Sequence, residues 1–324
     1  MIISRRELLA LSAVALSGIA AGGEQPRKAN ARGAQVLRLW PSTPPGATGN
    51  LPREHFEERV QGGVANRVLV GVAQPQLECV RPRKPNGAAL LVIPGGGYIE
   101  EWIDKEGGEI AERFAAAGIT SFILHYRLPR EGWTHPLDAP VQDAQRAIRV
   151  LRARASELQI DPRRICAMGF SAGGHLAASV STRGLATYPQ VDDADVGSAR
   201  PDLCALLYPL IDMSVVAHNE AIKAAMLGAA ADEADILAHT PTRSVDHDTP
   251  PTFLVSAFDD PLVSPQHSIG YANALRENKV SAELHIFEAG GHGFGVRQPA
   301  TMPVAAWPAL FLSWAARHGY LTPS

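Results

Sequence analysis

The stretch GFSAGGH, Gly169 to His175, decides the fold of this chain. An apolar run, Ile165 to Met168, leads into it, and small apolar residues, Leu176 to Val180, lead out. That succession predicts a strand, a tight turn and a helix. Ser171 stands at the centre of G-x-S-x-G. A serine on so tight a turn leaves almost no room for side chains beside it, which accounts for Gly169 and Gly173. Its Oγ would project beyond the strand end. The Ala172 N–H, opening the helix, would face the same small volume and could hold an anion there. A glycine-rich turn that merely contains serine satisfies the same five letters, so the surroundings must decide.

Outward from this turn the chain alternates strand and helix. Ala88 to Ile93 and Leu203 to Tyr208 are short apolar runs, as expected of buried parallel strands, and Thr120 to His125, Thr252 to Ala257 and Ala282 to Phe287 also read as strands. Asp104 to Ala117, Pro140 to Leu158 and Pro265 to Asn278 read as helices between them, and the stripe Val304, Trp307, Phe311, Trp314 as a last helix packed on the core. Upstream, Val68 to Val72 and Leu77 to Val80 read as an N-terminal hairpin or sheet edge. Ile211 to Pro251 is less regular and reads as a small helical insertion over the site. The expected fold class is α/β, a mostly parallel central sheet with helices on both faces.

In such a sheet ligands gather beyond the carboxyl ends of the strands. Ile93 is followed by Pro94-Gly95-Gly96-Gly97-Tyr98, where the amides of Gly96 and Gly97 could turn inward and complete an anion hole with Ala172. Ala257 is followed by Phe258-Asp259-Asp260-Pro261-Leu262-Val263. Two carboxylates compete there to orient a histidine. The D-x-x-V spacing favours Asp260 and leaves Asp259 to cap the loop. Phe287 is followed by EAGGHGFG, which isolates His292 in a glycine loop able to bring an imidazole over Ser171. Of the other histidines, His175 and His285 read as structural. Tyr98 and Phe170, flanking the glycines and the serine, are candidate walls of an acyl pocket.

Composition narrows the setting. The 324 residues are 46% hydrophobic with net charge −3, enough for a large core and without the basic face of a nucleic-acid binder. No apolar run reaches the roughly 20 residues that span a bilayer. Residues 1–31 resemble a twin-arginine export signal: Arg5-Arg6 precede the apolar run Leu8 to Ala21, and small-x-small cleavage sites occur at Gly18-Ile19-Ala20 and Ala29-Asn30-Ala31, the second favoured. The remainder, 32–324, reads as a single domain working in a periplasm or outside the cell, with no membrane anchor after cleavage. The three cysteines, Cys79, Cys166 and Cys204, form no metal-ligand spacing and no disulfide framework, although one bridge is conceivable. There is no HExxH, no Cys/His cluster and no dinucleotide fingerprint, so no metal or organic cofactor is expected.

Ser171, Asp260 and His292 occur in an order that resembles the α/β-hydrolase triad. The likeness narrows through PGGGY, DKEG (Asp104 to Gly107), HYRL (His125 to Leu128), QDAQRAIR (Gln142 to Arg149), DPRRI (Asp161 to Ile165), MGFSAGGHLA, ARPD (Ala199 to Asp202), PTFLVSAFDDPLV and GGHGFG. Over about residues 65–320 the chain resembles the esterase branch related to acetylxylan esterases and to a feruloyl-esterase-like group often labelled as xylanases. The resemblance implies an α/β-hydrolase fold with Ser171 as nucleophile, Asp260 as acid and His292 as base. It also implies a small-molecule or saccharide ester as substrate, acetyl esters on plant-cell-wall sugars foremost. Pro94 departs from the wider hormone-sensitive-lipase pattern, which has histidine before its glycines. Two alternatives stay open: another hydrolase on this scaffold (a lipase-type esterase or peptidase), and a binding protein without catalysis.

Overall fold

The computed structural model describes residues 35–136, 138–216, 227 and 231–321. The proposed export signal, and residues 217–226 and 228–230 of the expected insertion, lie outside them. From Gln35 onward the described residues pack as one unit.

Its strands are β1 (Gln35–Arg38), β2 (His55–Gln61), β3 (Val64–Val70), β4 (Gln76–Val80), β5 (Ala89–Ile93), β6 (Thr120–His125), β7 (Ile165–Phe170), β8 (Leu203–Leu207), β9 (Thr252–Ala257) and β10 (Ala282–Phe287). Eight of them form one sheet in the order β1-β4-β6-β5-β7-β8-β9-β10. From β6 to β10 every pairing is parallel; β4 alone runs against the sheet, and β1, antiparallel to β4, points with the rest. The strands sort their side chains by the two-residue alternation of extended chain. Leu91 and Ile93 enter one core cluster, Leu90 and Val92 the other. The first is covered by α2 (Asp138–Ala153), α3 (Ala172–Thr182) and α4 (Gln266–Glu277), the second by α1 (Glu109–Ala115) and α5 (Trp307–Arg317). The Trp307/Phe311/Trp314 stripe is buried in that second cluster, as its spacing implies.

Three local expectations change. Val68 to Val72 and Leu77 to Val80 do not pair with each other. β3 pairs antiparallel with β2 in a separate ribbon, and β4 lies inside the main sheet between β1 and β6. The turn between β2 and β3 is Gly62-Gly63, both at positive φ (58° and 76°), the glycine pair that a two-residue hairpin favours. The helix over Pro140 to Leu158 breaks at Arg154 (φ −99°, ψ 17°) into α2 and a single turn, Ala155–Leu158. The segment from Asp104 opens with a π-helical turn, Asp104–Gly108, before α1 begins. Among the described residues of 211–251, the regular elements are the short turns Met213–Val216, Glu233–Ala238 and Pro241–Ser244. All three cysteines are buried free thiols.

Several of the strings quoted above turn out to be struts. Arg127 of HYRL and Asp143 of QDAQ form a fully buried ion pair at 2.9 Å. Trp40 Nε1–H also donates to Asp143, at 2.7 Å. Asp202 of ARPD accepts from the Ile165 N–H at 2.9 Å and so fixes the start of β7. Because α2 and β7 are held this way, the serine at the end of β7 has a rigid base.

Candidate active site

Ser171 has φ 51° and ψ −117°, a backbone state that a residue with Cβ seldom occupies. Three hydrogen bonds hold it there. Its N–H donates to Leu207 O (3.0 Å), and its carbonyl accepts from Leu210 N–H (3.1 Å) and His175 N–H (3.2 Å). The glycines around it are steric necessities. A Cβ on Gly169 would come 2.1 Å from Gly173 O, and one on Gly173 would come 2.2 Å from Ile93 O.

Beyond the strand ends, three side chains meet. His292 Nε2 lies 2.9 Å from Ser171 Oγ, and His292 Nδ1 lies 2.7 Å from Asp260 Oδ2. Asp260 can only accept, so the proton sits on Nδ1. Nε2 is left to accept the Ser171 hydroxyl proton. The second Asp260 oxygen accepts the N–H groups of Leu262 and Val263, both at 2.8 Å, which explains the D-x-x-V spacing. Asp259 does not touch the histidine. One of its oxygens accepts from Gly290 N–H (2.8 Å) and Gly291 N–H (2.7 Å), so it caps the loop that carries the base.

The glycine turn after β5 lies against the nucleophile: a Cβ on Gly95 would meet Ser171 Cβ at 3.0 Å. Gly96 (φ 133°) accepts at its carbonyl from the N–H groups of Ile99 and Glu100, so the chain doubles back. A side chain on Gly96 would strike Glu100 O. Gly97 (φ 64°) has open space where its Cβ would be. The N–H groups of Gly96, Gly97 and Ala172 have no backbone acceptor among the described residues, which leaves them available to an oxyanion.

The two expected pocket walls are not walls. Phe170 is fully buried within the second core cluster, its ring beside Tyr208 and Trp307. As a residue of a strand covered on both faces, it points into packed protein. Tyr98 is also buried. Its hydroxyl donates to His175 Nδ1 at 2.7 Å, and its ring meets Tyr126 edge-on. It ties the glycine turn to α3 from within. His175 completes that tie by donating from Nε2 to His239 O at 2.7 Å, and burial pushes its pKa down to about 3, which keeps it neutral. The Tyr126 hydroxyl supports the same turn, donating to Pro94 O at 2.9 Å. Beside it the buried Glu101 accepts from Tyr126 N–H (2.7 Å) and faces His125 Nδ1 (3.2 Å). Burial raises the Glu101 carboxyl to about 7. Burial opposes the charge on His125, but Glu101 and Glu78 together outweigh it and raise that ring to about 9.

A serine hydroxyl, an imidazole held by a carboxylate, and a glycine turn whose N–H groups have no backbone acceptor among the described residues match the arrangement of a serine carboxylic-ester hydrolase. The BD-FAE family model matches residues 79–275 of this chain. The chain belongs to the BD-FAE family of α/β-hydrolases. An acetylxylan esterase of Xylanibacter ruminicola is 32% identical over 224 residues, which make up 68% of this chain and 44% of that protein. Endo-1,4-beta-xylanase B of Butyrivibrio fibrisolvens is 33% identical over 212 residues, 64% of this chain and 32% of that protein. The chain thus spans less than half the length of these curated relatives. Among solved structures, an acetyl ester-xyloside bifunctional hydrolase from Caldicellulosiruptor lactoaceticus superposes with a TM-score of 0.71 at 32% identity, covering 89% of this chain and 97% of that one.

Residues that sequence reading passed over hold this BD-FAE site together. Tyr208 directly follows β8, at positive φ (39°), and packs its ring edge-on against His292, with centroids 5.0 Å apart. The rule that looks beyond strand ends points to it, since it directly follows Leu207. Glu106, inside the DKEG string, has no comparable signal.

Proposed function

We propose that this chain is an exported serine esterase that removes acetyl groups from xylan or related plant-cell-wall saccharides through an acyl-enzyme. The observation that carries the reading is the continuous line Ser171–His292–Asp260, with hydrogen-bond distances of 2.9 and 2.7 Å. His292 Nε2 takes the Ser171 proton as Oγ attacks the ester carbonyl carbon. The oxygen of the tetrahedral intermediate collects negative charge, which the N–H groups of Gly96, Gly97 and Ala172 are placed to stabilise. The carbon–oxygen bond to the alcohol breaks, and His292 returns its proton to the departing oxygen. Water then attacks the acyl-enzyme with His292 again as base, releasing the carboxylic acid and restoring Ser171. Asp260 stays ionised throughout and stabilises the imidazolium.

The acetyl preference rests on kinship with acetyl-ester hydrolases, since Tyr98 and Phe170 do not form the wall first expected of them. The measurement is kcat/KM for p-nitrophenyl acetate, butyrate and octanoate, followed by acetate release from acetylated xylan. Each methylene refused by a pocket is worth about 10- to 200-fold. Acetate should therefore exceed octanoate by at least about 100-fold. A preference for octanoate would replace this reading with a lipase-type esterase. Hydrolysis of phenyl acetates without acetate release from xylan would leave a general short-chain carboxylesterase. Export rests on Arg5-Arg6 and the apolar run after them. Replacing both arginines by lysine should trap the precursor in the cytoplasm, and unchanged secretion of that variant would remove export through a twin-arginine route.

A further inference from the structure

The oxyanion turn and the base loop leave different strands, yet their relative placement must hold to a fraction of an ångström for one serine to serve both. A single buried carboxylate joins them. Glu106 is 3% exposed and sits in the π-helical turn before α1. Its Oε2 accepts from the Gly95 N–H at 2.8 Å, at the root of the oxyanion turn. Its Oε1 accepts from the Tyr208 hydroxyl at 3.0 Å, and that hydroxyl oxygen accepts in turn from Gly295 N–H at 3.3 Å, in the loop that carries His292. The Tyr208 ring is the surface against which His292 packs.

Lys105 flanks this carboxylate at 3.5 Å and donates to Gln61 Oε1 at 2.7 Å, at the end of β2. A Cβ on Gly293 would lie 2.7 Å from the Lys105 ammonium, so the Lys105–Glu106 pair runs directly beneath the base loop. None of these groups touches the reacting atoms. Glu106, with Tyr208, connects the two parts that do: the turn after β5 and the loop of His292.

We infer that Glu106 is a positioning residue of the esterase site, which holds the oxyanion turn and, through Tyr208, the His292 loop in one register. The inference rests on the reading of Ser171 and His292 as nucleophile and base. A glutamine of the same size cannot accept at both positions. Whichever way the amide is turned, its NH₂ faces Gly95 N–H on one side, or the Lys105 ammonium on the other, where Tyr208 would have to accept instead of donate. One loop must then give way.

The test uses Glu106→Gln, Tyr208→Phe and the double variant in the full chain, with melting curves beside kinetics on p-nitrophenyl acetate and the rate of fluorophosphonate labelling. Glu106→Gln should lower kcat about 10- to 100-fold, with KM within about twofold, and slow labelling by a similar factor. Tyr208→Phe keeps the ring on His292 but cuts the link, and should lower kcat about 10-fold. The double variant should fall little below Glu106→Gln alone, because both substitutions break one connection. A folded Glu106→Gln with wild-type kcat and labelling rate overturns the inference, as does strict multiplication of the two effects. If Glu106→Gln does not fold, a Tyr208→Phe variant with unchanged kcat overturns it instead. A wild-type protein inert to ester and fluorophosphonate alike would instead sink the esterase reading, and the inference with it.

Discussion

Ser171→Ala should reduce kcat by about 10⁶-fold while leaving the melting temperature close to that of the wild type. The two halves of this expectation have separate causes. Without Oγ there is no acyl-enzyme, and what remains is the polarising effect of the N–H groups on water attack. The backbone at φ 51° and ψ −117° is strained with either side chain, so alanine gains nothing and loses little. Ser171→Gly separates strain from chemistry further: equally inactive, it should melt higher, because glycine enters this region without the roughly 1–3 kcal/mol that other residues incur. Hydrolysis of p-nitrophenyl acetate and thermal melts read both quantities. An alanine variant that melts normally and keeps more than about one per cent of kcat would place the nucleophile elsewhere.

Asp260→Asn should lower kcat about 10⁴-fold without unfolding the chain. An asparagine can present its NH₂ to His292 Nδ1, which favours the tautomer with the proton on Nε2. That proton then faces Ser171 Oγ, and the imidazole can no longer act as base. Asp259→Asn is the control. Its remaining carbonyl oxygen can still accept from Gly290 and Gly291, so activity should stay within a few-fold. Asp259→Ala strands both N–H groups and should cost about 1 kcal/mol of stability. A dead Asp259→Asn with a normal melt, beside an active Asp260→Asn, would exchange the roles of the two carboxylates.

The parts of this site that were legible in the sequence are those whose chemistry demands glycine or a fixed short spacing. Gly169 and Gly173 mark the turn because any side chain there would enter a neighbouring backbone. The D-x-x-V spacing marks Asp260 because one of its oxygens is committed to the amides of Leu262 and Val263. Strand ends supplied the remaining order, since an apolar run buried on both faces announces where it stops. The same double burial is why Phe170 misled: in a strand with no polar face, periodicity does not say on which side a ring lies. Tyr98 misled because a tyrosine beside an oxyanion turn can face substrate or support the turn, and only the His175 contact decides. Glu106 was illegible for a general reason. A lone glutamate in a helical pattern reads as solvated, and its burial follows from contacts outside its own helix, with Gly95 in the turn after β5 and with Tyr208, 102 residues further on.

The base loop follows β10, the last strand of the sheet, and β10 pairs with β9 alone at the sheet edge. Ser171 and His292 are 121 residues apart in the chain. During synthesis, the strand, turn and helix around Ser171 therefore emerge well before the imidazole that activates it. An unassisted serine hydroxyl is a weak nucleophile at its ordinary pKa. If His292 is the base, a growing polypeptide carries an unassisted alcohol at Ser171 until the β10 segment docks, so the order of translation keeps the two reacting groups apart.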